Sequence, residues 1–164
     1  MKTKFGLVLS IFAFALGLAA SSARAADIVG TWHLSSVSNE ETESKVAHKP
    51  FGDHPVGSIT YTADGHMMVI FANSDRKPSV APRATDGEAV ELYRTMVAYA
   101  GTYSVDGNKV THKIDVSWNQ AWNGTNQTRF IEVKDDRLTI TTAPFVSPFL
   151  NEQVVSTLVF ERTK

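Results

Sequence analysis

Few residues in this chain combine a reactive side chain with a setting that would put it to use. His112 is the first. It lies in an alternating run: Val110, His112, Ile114, Val116 and Trp118 share one face, while Thr111, Lys113, Asp115 and Ser117 share the other. Successive strand residues point to opposite sides, so the apolar set faces a core and carries the imidazole with it. An inward imidazole can serve as general acid or base near neutral pH. It can equally be a core histidine bonded to a neighbouring strand. Arg129 is the second, in phase with the apolar Ile131 and Val133. An inward guanidinium must be paired or meet an anion, because burying it alone is costly. It can bind a ligand carboxylate or pair with Glu161, and internal pairing is the favoured of the two. Tyr61 shares a face with Ile59, and Tyr103 with Val105. Each can place a hydroxyl in the same interior or simply pack there. Trp118 and Trp122 flank a loop and, with Phe145 and Phe149, can rim an opening. Met67, Met68 and Met96 add soft apolar surface.

Other chemistries find no support. The chain has no cysteine, which removes disulfides, thiolate metal sites and cysteine nucleophiles. His48, His54 and His66 do not stand at a metal-ligand spacing, so no metal site is expected. There is no glycine-rich phosphate loop and no nucleophile elbow around a serine. No cofactor is expected. A net charge of −1 gives no basic stripe, which argues against a nucleic-acid partner. An acid–base enzyme without a cofactor survives these exclusions, since it needs only a shaped pocket and one or two polar groups.

The elements that would position these residues are mostly strands. β-rich runs cover residues 29–37, 57–62, 66–72, 100–105, 109–118, 125–133, 137–142 and 152–161. Ala63-Asp64-Gly65, Asp106-Gly107-Asn108 and Lys134-Asp135-Asp136 join three pairs of them as tight turns. Residues 38–49 read as loop. Thr85-Asp86-Gly87-Glu88 is a capping box. Val90, Tyr93 and Val97 follow at helical spacing, which predicts one short helix over residues 86–98. The fold class is therefore all-β: about eight antiparallel strands in up-and-down order, with one helix between the third and fourth. Such a meander hides its edges best by closing into a barrel.

The amino terminus sets the compartment. Lys2 and Lys4 precede an uncharged stretch over residues 5–20, and Ala23-Arg24-Ala25 follows at the spacing of a signal cleavage site. Residues 1–25 are expected to be a signal peptide, and 26–164 a single domain. The mature protein should then be periplasmic or secreted, with no membrane segment. Nothing in the sequence sets an oligomeric state.

The strand motifs carry a resemblance. Gly30-Thr31-Trp32 opens the first strand, and Pro50-Phe51-Gly52, Pro55-Val56-Gly57 and Tyr61-Thr62-Ala63-Asp64-Gly65 follow. Then come Tyr99-Ala100-Gly101-Thr102-Tyr103, Val110-Thr111-His112, Trp122-Asn123-Gly124-Thr125, Arg137-Leu138-Thr139 and Val159-Phe160-Glu161-Arg162. In this order they resemble the bacterial and fungal lipocalin-like domain family. The resemblance implies a calycin-type barrel with an internal cavity. It also implies that Trp32 packs at a closed end with Arg162 across its ring, a structural pair. The leading expectation is an exported protein that binds a small, mostly hydrophobic molecule, oriented by His112, Arg129, Tyr61, Tyr103, Trp118 and Trp122. The alternatives are a cofactor-independent isomerase or cyclase with His112 as acid–base group, and a ligand-free envelope module. The helix would be a lid or plug.

Overall fold

A computed structural model describes residues 25–147 and 150–163. The expected signal segment, Ala25 apart, lies outside the described residues, as does Phe149. The described chain opens with a helical turn, α1 (Ala25–Ile28). Ten strands follow: β1 (Gly30–Glu41), β2 (Ala47–His48), β3 (Val56–Tyr61), β4 (His66–Ala72), β5 (Met96–Asp106), β6 (Lys109–Ser117), β7 (Asn126–Lys134), β8 (Arg137–Thr142), β9 (Phe145–Val146) and β10 (Gln153–Arg162). One helix of more than a turn, α2 (Asp86–Arg94), lies between β4 and β5.

The sheet runs β2-β1-β3-β4-β5-β6-β7-β8-β10-β9, and β1 also pairs with β10. That pairing closes eight strands into a barrel, with the two-residue β2 and β9 as short additions. All pairings are antiparallel, from Trp32↔Arg162 around to Phe160↔Leu138. Alternation lines the interior with Trp32, Ile59, Val69, Ile114, Ile140 and Phe160, all buried.

Because the eight strands alternate in direction, their connections separate by length. The tight turns after β3, β5 and β7 gather at one end, with α1 and the last residues of β10. The longer connections, carrying β2, α2, Gln120–Trp122 and β9, ring the other end. At the turn end Arg162 lies over the Trp32 ring, its guanidinium carbon 4.0 Å from the centroid. The same side chain donates to the carbonyls of Asp27 at 2.8 Å and Val29 at 3.1 Å. The Trp32 indole donates to the Ile28 carbonyl at 2.8 Å. One cation thus holds α1, β1 and β10 together and shuts that end.

Expectations about the helix and the first strand need correction. The helix follows the fourth strand of the chain, because the two-residue β2, within residues read as loop, takes a place in the count. The helix also ends early. It is capped at Thr95, and Val97 is a buried strand residue. The capping box is present, with Glu88 accepting from the Thr85 amide at 2.8 Å, yet α2 buries none of its side chains. It lies beside the barrel, and its Tyr93 ring stands 6.2 Å from Trp118. Finally, β1 runs on to Glu41 through a bulge between Leu34 and Ser36.

A second bulge sits where β5 meets β6. Ala100 pairs with Val116 but Gly101 pairs with Ile114, so Asp115 is the extra residue. The phase of β6 reverses there, and Val116, expected inward, is 58% exposed. Gly101 is required at this point: a Cβ would lie 2.0 Å from the Lys113 carbonyl oxygen. Gly57 has the same role against β4, with a Cβ position 2.2 Å from the Ile70 carbonyl oxygen.

Candidate functional site

The barrel encloses a cavity of about 120 Å³ that leans toward the end with the long connections. Its walls differ in character. On β3, β4 and the start of β5 the lining is apolar: Ile59, Val69, Phe71 and Val97. Phe51, from the connection before β3, meets Phe71 edge to face at 4.9 Å. On β7, β8, β10 and β1 the lining carries Arg129, Thr142, Ser156 and Asn39. Strand register places these groups side by side, since Arg129 is opposite Thr142 and Asn39 opposite Ser156. Ser156 donates from its hydroxyl to Asn39 Oδ1 at 2.6 Å, and from its amide to Thr142 Oγ1 at 2.9 Å.

His112 is wholly buried. Its Nε2 lies 2.8 Å from the Tyr61 hydroxyl and its Nδ1 lies 3.0 Å from the Tyr99 hydroxyl. Burial, and then the Arg129 cation, hold the imidazole well below its ordinary pKa of 6.5. It is therefore neutral, with one nitrogen donating and the other accepting. Burial likewise raises both tyrosines, Tyr61 strongly, so both keep their protons.

The direction of the chain of protons follows from where each hydroxyl can go. Tyr61 is closed off completely, and His112 is the partner of its hydroxyl. If Tyr61 only accepted, its own hydrogen would be buried unpaired, at a cost of about 1–3 kcal/mol. Tyr99, by contrast, lines the cavity. The arrangement of lower energy has Tyr61 donating to Nε2 and Nδ1–H donating to Tyr99. The Tyr99 hydrogen then points where an occupant can receive it.

Aromatic rings connect this triad to the mouth. Tyr99 meets Trp122 at 5.7 Å, and Trp122 meets Trp118 edge to face at 4.6 Å. Trp122 is held by the turn Gln120–Trp122, where the Asn119 side chain accepts from the Ala121 amide at 3.1 Å. Phe145, on β9, lines the same mouth. Among the described residues the buried indole N–H of Trp118 has no partner.

Of the residues singled out by sequence, His112, Arg129, Trp118 and Trp122 line one cavity. Tyr61 reaches it only through His112. Tyr103 does not line it: its ring packs on Tyr61 at 4.8 Å and its hydroxyl donates to the Thr62 carbonyl at 2.9 Å. Met67 faces the core and Met68 faces out. The expected Arg129–Glu161 pair does not form. β8 separates β7 from β10, and Glu161 is exposed beside the inward Phe160. Arg129 instead donates to the backbone oxygen of Gln127 at 3.1 Å and to its side-chain oxygen at 2.5 Å. Its guanidinium carbon lies 5.8 Å from the Tyr99 ring centroid. Tyr99, Asn39 and Ser156 were not anticipated. Tyr99 shares strand phase with Val97 and Tyr103, a signal hidden once the helix is drawn to residue 98. Among the described residues no group of three His, Asp or Glu could hold a metal ion, and no helix is long and apolar enough to cross a membrane.

Comparison with protein-family profiles matches the lipocalin-like domain over residues 29–163. The chain belongs to that family. A search of curated proteins returns no match.

Proposed function

We propose that this lipocalin-like barrel is an exported carrier or receptor for one small, mostly apolar molecule, held in the central cavity. The observation that carries the reading is the make-up of the cavity. An apolar wall from β3 to β5 faces a short belt of polar groups from β7 to β1. Ligand sites in general combine apolar lining with a few placed polar groups. Burial of apolar area supplies the affinity, at roughly 25 cal/mol per Å² removed from water. The volume of about 120 Å³ is close to the roughly 150 Å³ that admits a single benzene ring. A larger guest requires the mouth residues Trp118, Trp122 and Phe145 to move. The helix α2 touches that mouth through Tyr93 alone among these rings, which suits a lid that adjusts rather than a plug.

Catalysis by His112 itself is disfavoured. Both ring nitrogens are engaged by tyrosine hydroxyls, which leaves neither free for an occupant of the cavity.

Toluene titrated into the protein should change the emission of Trp118 and Trp122 and saturate. Val69→Phe, which fills the apolar wall, should abolish the response while the protein still melts cooperatively. A response that persists unchanged in the filled variant refutes binding at this site.

A further inference from the structure

The cavity has an unbalanced polar inventory. Arg129 is the one charged side chain among the described residues that line it. Among the described residues no carboxylate lies within 4.0 Å of it. Gln127 satisfies two of its N–H groups but not its charge. A guanidinium carries five N–H donors, so donors remain. The hydrogen of Tyr99 Oη is directed at the cavity by the tautomer of His112 derived above. Trp118 lines the same cavity, and its buried indole N–H has no partner among the described residues. Three residues with unmet donor capacity therefore line one cavity, and one of them is a cation. Arg129 is half-buried, and the natural complement of a partly desolvated cation without a counter-charge is an anion that accepts several hydrogen bonds.

Charge and shape narrow the class. One positive charge balances a monoanion, not a phosphate dianion. The flat fork of a guanidinium matches the flat pair of oxygens of a carboxylate. The opposite wall is apolar and offers nothing to a second charge. We propose that the occupant is an aromatic or short aliphatic monocarboxylate. Its carboxylate is seated against Arg129 and takes hydrogen bonds from Tyr99 and Trp118. Its apolar body lies on Ile59, Val69, Phe71 and Val97.

This inference rests on the carrier reading, and three probes that share one phenyl ring separate the two. Benzoate, benzamide and toluene are titrated into the purified protein by calorimetry at pH 7. Benzoate should bind at least tenfold more tightly than benzamide, which keeps the shape without the charge. Arg129→Gln should bring the two within about twofold of each other while toluene binds as before. Tyr99→Phe should weaken benzoate more than toluene. If benzamide and toluene bind the wild-type protein as tightly as benzoate, the carboxylate assignment is overturned and the carrier reading stands. If none of the three binds, both are overturned. The wild-type comparison needs no variant, so a poorly folding Arg129→Gln leaves the test intact.

Discussion

Acidification should loosen this barrel through one residue, His112. In the folded protein the imidazole is neutral, buried, and in the field of Arg129. Protonating it would put a hydrogen on both ring nitrogens. The Tyr61 hydroxyl would then have to turn away from Nε2 and lose that bond, and a second cation would join Arg129. The unfolded chain has none of these obstacles and titrates near 6.5. The folded pKa is therefore the lower one. Stability is full above pH 6.5 and falls as pH drops toward the folded value, because the unfolded state takes up the proton first. The slope approaches about 1.4 kcal/mol per pH unit. Between pH 8 and pH 5 the loss is at most about 2 kcal/mol by the same linkage. Glu41, Asp53, Asp64 and Glu88 are all held below their ordinary carboxylate values, so their contributions are lost at still lower pH. Urea unfolding, followed by tryptophan emission at half-unit steps from pH 8 to 5, reads the effect. His112→Gln removes the titration and serves as reference. It should be less stable at pH 8, with a shallower pH dependence, by up to about 2 kcal/mol over the range. Equal pH dependence in the two proteins would refute the account of His112.

Other predictions follow from single contacts. Gly101→Ala should cost about 3 kcal/mol or more, since its Cβ would strike the Lys113 carbonyl at 2.0 Å where the strands cannot part; urea unfolding measures it. Arg162→Met should cost about 3 kcal/mol by the same assay. It loses the stack on Trp32 and two charge-assisted bonds to backbone carbonyls, and only the stem's packing survives. Expression of the full chain in a secreting bacterium should yield a protein whose mass matches residues 26–164. An intact amino terminus at Met1 would refute export by cleavage.

Much of the fold was open to reading from the strand phases. Val110, His112 and Ile114 point inward as alternation demands, and the tight turns fall at Asp-Gly and Asp-Asp steps. What was hidden has a physical cause. A bulge shifts the phase by one residue without leaving a mark in composition. Among the described residues two bulges occur, at Leu34/Ser36 and opposite Gly101. The first turns Val37 and Asn39 inward, so the Asn39–Ser156 pair could not be foreseen. The second turns Val116 out. Tyr99 was obscured because Val97 fits both a helical stripe and a strand. The partner of Arg129 could not be read from parity at all, since that depends on which strands are neighbours. Adjacency placed Thr142 beside it and left Glu161 on the outer surface of another strand.

The central claim is that the cavity holds a guest, and native mass spectrometry of the protein isolated from its own host tests it most directly. The account predicts a population heavier than the mature chain by one small molecule. That mass should be released on denaturation and absent from Val69→Phe prepared in parallel. Protein of bare chain mass throughout, with nothing recovered on denaturation, would contradict it.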